Sequence, residues 1–135
     1  MSRLDIRQMV SDLRIRREGL LRMAMLGNAG GVVATLSFIG TAIGASAGKG
    51  FPEPAFNVLI IFLTGLGAGF FSRLTETQRH AKFIDFAIKH QGDPPGDPPT
   101  YELWTRLSSL GFVAAIGCMM YGIIHGLRVL SKLGV

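Results

Sequence analysis

The apolar positions of this chain gather into three long runs, each bordered by charge. Residues 23–47 give 25 positions without a formal charge, and residues 55–72 give 18. Residues 107–127 give 21, whose ionisable side chains are Cys118, Tyr121 and His125. A helix needs about 20 predominantly apolar residues to cross about 30 Å of hydrocarbon. Backbone groups in lipid must be satisfied within the segment, which selects helices over open strands. The runs are too long and too evenly apolar for the strands of a closed barrel. The pattern predicts an all-α chain with three transmembrane helices in a single membrane domain.

The flanking segments are also patterned. In residues 3–22, Ile6, Met9, Val10, Leu13, Leu20 and Leu21 recur near helical spacing, with Arg and Asp between them. This predicts an amphipathic cytoplasmic helix, interrupted by nothing stronger than Gly19. Two arrangements stay open: it lies along an anionic leaflet, or it stands out from the membrane and packs against its copies. After the second run, Leu74, Thr77, Ala81, Ile84 and Ile88 share a face. The second helix is therefore expected to continue outside the membrane over residues 74–90. Residues 91–99 hold four prolines and two glycines, which forbid a helix and predict an extended linker. Thr100 is placed as a helix N-cap, with Glu102 in the first turn and Tyr101 and Trp104 at interfacial depth. The short connection 48–54, with Pro52 and Pro54, turns the first two spans into a tight hairpin.

Composition agrees with a lipid environment. The chain is 48% hydrophobic and 17% charged, against about 25% charged in soluble domains. Its net charge of +5 reads as topology, because the cations are unevenly placed. A cytoplasmic N-terminus puts eleven Lys and Arg inside and three (Lys49, Arg128 and Lys132) outside. The expectation is N-in and C-out, in a bacterial inner membrane. Ala45-Ser46-Ala47 resembles a signal cleavage site. The long preceding region with Asp5, Asp12 and Glu18, and the length of the apolar run, argue against cleavage.

Within the runs, small residues recur at four-residue spacing. They are Gly27, Gly31, Gly40, Gly44 and Gly48 in the first, Gly65 and Gly69 in the second, and Gly122 and Gly126 in the third. Such faces let helices approach closely where lipid removes the hydrophobic force between them. Self-association through the first span is expected. Asn28, Thr35, Ser37, Thr41 and Asn57 are the polar candidates for inter-helix bonds or a pore lining. Asn28 is the most demanding, because an amide in hydrocarbon needs a partner. Arg14, Arg16, Arg17, Arg22, Arg79 and Lys82 are candidates for contact with an anionic ligand or lipid. No Asp, Glu, Lys or Arg falls in mid-span, which counts against a proton-coupled carrier. Cys118 reads as a small core residue, His125 as an interfacial one, and His80 and His90 have no metal-ligand spacing.

Catalytic templates fail one by one. There is no GxSxG, no phosphate loop, no HExxH and no cysteine pair. Neither a cofactor nor a metal is expected.

The run Leu26-Gly-Asn-Ala-Gly-Gly-Val-Val-Ala-Thr-Leu-Ser-Phe-Ile-Gly40, with the second span and its polar continuation, resembles a loose group of small bacterial inner-membrane proteins. The likeness covers about residues 15–90, through Asn28, Gly30 and Gly31 in particular. Some members of that group are membrane effectors of antiphage defence, forming oligomeric channels gated by a cytoplasmic partner or nucleotide signal. The resemblance implies a homo-oligomer that conducts ions, with no catalytic residue to carry over, and nothing in the sequence points directly to nucleic acid. A structural subunit of a larger membrane complex, or a non-conducting scaffold, are the alternatives.

Overall fold

The computed structural model describes residues 3–45, 53–89 and 100–132, with side chains from residue 12 onward except those of Ala45 and Ala87. Three helices account for them: α1 (Arg3–Ala45), α2 (Glu53–Lys89) and α3 (Tyr101–Lys132). All three are long and apolar enough to cross a membrane. Gly19 does not interrupt α1, which runs from the polar flank into the apolar run as one rod of 43 residues. Likewise α2 passes from the apolar run into the polar continuation without a break. Pro54 sits in the first turn of α2, where a missing N–H costs nothing. Thr100 precedes α3, and its carbonyl accepts the Trp104 N–H at 3.2 Å, as an N-cap backbone does. Residues 46–52 and the Pro/Gly segment 91–99 lie outside the described residues, as do Gly48 and His90.

Side-chain sorting is inverted relative to a water-soluble bundle. The largest fully buried side chains are Asn28, Ser72, Thr75 and Ser108. Large apolar residues face outward instead, with Leu110 and Val113 each 66% exposed and Phe70 60%. In water this surface would be an extensive aggregation-prone patch. In hydrocarbon it is the solvated face, and the interior holds small and polar residues that permit close approach, with a few large apolar side chains such as Leu21, Leu59 and Phe62 among them. This arrangement, with the helix lengths, makes the chain a membrane protein.

α2 is the centre of the bundle. It packs most extensively on α3, less on α1, while α1 and α3 touch least. Its buried stripe reads Ala55, Val58, Phe62, Gly65, Gly69, Ser72 and Thr75, at spacings of three and four. The stripe of α3 is made of Ser108, Gly111, Ala115 and Gly122. Phe62 reaches between Gly31 of α1 and Gly122 of α3, in space that a Cβ at either glycine would occupy. Met25 covers Gly69, and Met119 covers Gly27.

The packing register sets the three apolar levels side by side. Arg17, Ser72 and Ser108 meet at one end. Ile39, Ala55 and Leu59 cluster at the other, where Gly126 lies against Val58. Between these layers each helix rises about 26–33 Å at 1.5 Å per residue, close to the thickness of hydrocarbon. The charge-free run 23–47 thus begins more than a turn inside the level shared by the three helices.

Gly111 is the tightest point between α2 and α3. A Cβ there would lie 2.9 Å from the Ala68 carbonyl oxygen and 3.0 Å from the Ser72 Cβ. Backbone cannot yield as a side chain can. Gly111→Val is expected to destabilise the bundle by about 1–3 kcal/mol. Gly117 has nothing within 4 Å of such a Cβ, so Gly117→Ala should be neutral or stabilising. Reversible unfolding in mixed micelles, compared across both variants, checks the contrast.

Candidate functional site

The buried polar side chains fall into two layers. The inner layer is built on Asn28. Its Nδ2 donates to the Ala24 carbonyl one turn back at 2.8 Å and to the Ala115 carbonyl of α3 at 3.0 Å. Its Oδ1 has no conventional donor and lies against Gly65 of α2. A glycine Cα–H directed at that oxygen supplies a weak hydrogen bond. One amide therefore touches all three helices, and only glycine at 65 leaves it room. The Cβ of Cys118 closes the same contact from α3.

The second layer lies about three turns away along α1. Ser72 Oγ donates to the Ser108 carbonyl at 2.8 Å. Arg17 Nη2 donates to Ser108 Oγ at 3.0 Å, with its guanidinium 5.4 Å from the centre of the Phe112 ring. Thr75 bonds back to the carbonyls of Phe71 and Ser72. A cation at this level is held by an aromatic face and a hydroxyl rather than by a carboxylate.

Beyond that layer is a cavity of about 180 Å³ between α1 and α2, lined by Arg14, Arg17, Glu18, Arg73, Glu76 and His80 among others. Arg14 Nη2 donates to His80 Nε2 at 2.7 Å, so the imidazole accepts through that nitrogen and is neutral in this contact. Burial holds the His80 pKa below its ordinary value, with the charges of Arg14 and Arg79 adding to the effect and Glu76 opposing it. Glu18 and Arg73 pair at 3.8 Å with both side chains well exposed, a contact of small energetic value. Arg79 pairs with Glu76 at 3.4 Å and covers Tyr101, which also packs on Phe83.

The sequence candidates are thus distributed over several places. Of the cationic group, Arg14 and Arg17 enter the cavity, and Arg79 is engaged by Glu76 and Tyr101. Arg16, Arg22 and Lys82 are exposed outside it. Thr35 is buried and bonded to the Gly31 carbonyl, whereas Ser37 and Thr41 are exposed, with Thr41 bonded to the Ser37 carbonyl. Asn57 is exposed near the hairpin end, in a cavity with His125, Arg128 and Lys132. His125 stacks on Tyr121 with ring centres 5.8 Å apart.

The glycines divide in the same way. Gly27, Gly31, Gly65, Gly69 and Gly122 meet side chains of neighbouring helices within the chain, and Gly126 is in ordinary contact with Val58. Gly40 and Gly44 meet nothing. Ser72, Thr75, Arg73 and His80 were not among the sequence candidates. Ser72 and Thr75 continue the three-and-four spacing of the α2 stripe into polar positions, and that periodicity is the signal for them. Among the described residues, no three His, Cys, Asp or Glu side chains gather as metal ligands would. No family model, curated protein or solved structure matches the chain.

Two outcomes are expected. Asn28→Ala removes both cross-helix contacts and should weaken the bundle by about 0.5–2 kcal/mol, measured by steric trapping in bicelles. His80, with a pKa lowered on burial, takes its proton more readily when α1 and α2 separate. The contact is therefore complete above the ordinary value of 6.5 and weakens as pH falls below it. His80→Gln should abolish that acid sensitivity, read as the change in unfolding midpoint between pH 8 and pH 5.

Proposed function

We propose that the chain is one subunit of an oligomeric pore in a bacterial inner membrane, with its N-terminus in the cytoplasm. The orientation rests on the eleven-to-three division of Lys and Arg across the loops. The polar ends of α1 and α2, around Arg14, Arg17, Arg73 and His80, then face the cytoplasm, where a signal or partner acts on them. The resemblance of about residues 15–90 to a loose group of small bacterial inner-membrane proteins, some of them membrane effectors of antiphage defence, supports the same reading.

The observation that carries the pore is the outward face of α1. Val33, Ser37, Gly40 and Gly44 follow at helical spacing, with Thr41 beside them, and all five are exposed. Large Leu, Ile, Phe, Val and Met side chains make up much of the remaining outward surface, with shorter small-residue pairs at Thr64 and Gly67 and at Ala114 and Gly117. A strip of glycine and hydroxyl amid bulky side chains fits close approach between copies around a narrow, weakly polar lumen.

A second reading is a structural subunit of a larger membrane complex. It is favoured by the Thr41 hydroxyl, which is satisfied by the Ser37 carbonyl at 2.9 Å and needs no water.

Purified alone, the pore-forming chain is expected as a closed homo-oligomer of defined mass that makes liposomes leaky to ions. Gly44→Leu should abolish both the mass and the leak, since Gly44 makes no contact within the chain. A tight liposome with an intact oligomer, or a monomer that recovers only with another membrane protein, overturns the pore. Alkaline phosphatase fused after Lys132 should be active and green fluorescent protein dark, and the reverse overturns the orientation.

A further inference from the structure

The three helices do not seal along their whole length. In the hairpin-side half, α1 and α3 part over α2 and leave an open apolar groove of about 350 Å³. Its walls are low because Gly30 and Ala34 of α1 face Gly122 and Gly126 of α3, and Phe62 and Val58 of α2 form the floor. Along α1 it runs from Gly27 to Phe38, about 16 Å at 1.5 Å per residue. At the hairpin end it adjoins a second cavity of about 420 Å³, with which it shares Phe38, Ala55 and Val129. That mouth holds Arg128 and Lys132 with Asn57 and His125, and its single carboxylate is Glu53. Neither Arg128 nor Lys132 has an ion pair among the described residues.

We propose that groove and mouth together hold one anionic glycerophospholipid from the leaflet at the hairpin end. One acyl chain lies along the groove, and the phosphodiester sits between Arg128 and Lys132. Two cations against one carboxylate leave a surplus of one positive charge, which a single phosphodiester cancels. An empty groove in hydrocarbon forfeits dispersion contact on both walls. A second copy side by side would bring its own Arg128 and Lys132 to the same level, like charge against like. On α1 the site is centred on Gly27, Gly31 and Phe38, about a third of a turn round from Ser37, Gly40 and Gly44, and it meets that strip at Gly30. It rests on the membrane reading and not on the pore.

The test uses the full chain in nanodiscs of mixed phosphatidylglycerol and phosphatidylethanolamine, the former carrying a diazirine on its acyl chain. One phosphatidylglycerol per chain should survive into native mass spectrometry, and illumination should label Ile123 or Leu127. R128Q/K132Q should lower phosphatidylglycerol retention about tenfold. Gly30 lines the groove and has nothing within 4 Å of an added Cβ, so Gly30→Leu should fill the groove and remove the label. Gly67→Leu, equally open and away from the groove, should leave it unchanged.

Labelling spread evenly over outward positions such as Leu63 and Val113 overturns the site, as does equal retention of phosphatidylethanolamine. A change in oligomer mass on Gly30→Leu, with lipid retention unaltered, assigns the groove to a second copy instead. A chain that washes out of vesicles at alkaline pH overturns the membrane reading and the site with it. A chain that stays in the membrane without selecting phosphatidylglycerol overturns the site alone.

Discussion

Everything in the inner half of this bundle depends on where the Asn28 amide finds its partners. In hydrocarbon an unpaired amide costs several kcal/mol, and no water is present to relieve it. The side chain spends its two donors on Ala24 and Ala115 and turns its oxygen to Gly65. That triple contact fixes the height and rotation of α1 against α2 and α3. Once it is set, Met25 falls over Gly69 and Phe62 slots between Gly31 and Gly122. Moving α1 by one residue would rotate the amide by about 100° into lipid, so the register has one solution.

The second constraint comes from the absence of a hydrophobic force between helices in lipid. Contact has to come from close approach, which is why much of the interior is Gly, Ala and Ser, with Leu21, Leu59 and Phe62 packed among them, while most Leu and Phe face outward. The hydroxyls do not disturb this scheme, since Thr35, Thr41, Thr75, Thr105 and Ser109 each bond a carbonyl of their own helix. Ser72 differs by crossing to α3, and it does so at the level where Arg17 enters. Within the apolar level, polar bonding between helices is thus concentrated in two layers, with apolar packing between them and the Arg14–His80 and Glu18–Arg73 contacts beyond the second.

Much of the architecture was legible because it follows from continuous patterns. Three apolar runs without Pro in their interiors can only be helices in lipid, and the absence of a strong breaker between residues 3 and 45 allows one rod. The demand of Asn28 for a partner was also legible, since an amide in such a run needs one, although Ala115 could not be chosen over other carbonyls. Glycine spacing was ambiguous by nature. Gly27 and Gly31 repeat the four-residue spacing of Gly40 and Gly44 nine residues out of step, on a different face of α1, and the former are filled by Met119 and Phe62 while the latter stay open. Periodicity reports the face of a helix and not what lies opposite it. The cavity of Arg14, Arg17, Arg73 and His80 was hidden for a similar reason, because its members lie 66 positions apart at the closest contact. Charge bias toward one side of a membrane masks any local grouping of cations within it.

The Asn28 bond to Ala115 spans 87 positions of sequence, and that separation bears on how the protein is made. Synthesis delivers α1 to the bilayer long before α3 exists. In the interval the amide has the Ala24 carbonyl, one turn back on its own helix, to hold one of its donors. This local bond lets α1 wait in lipid without a partner. The inner layer closes only when α3 arrives and offers Ala115. A ribosome stalled before residue 115 would leave α1 inserted but unlatched, so completion of the third helix is the step that commits the bundle to its final register.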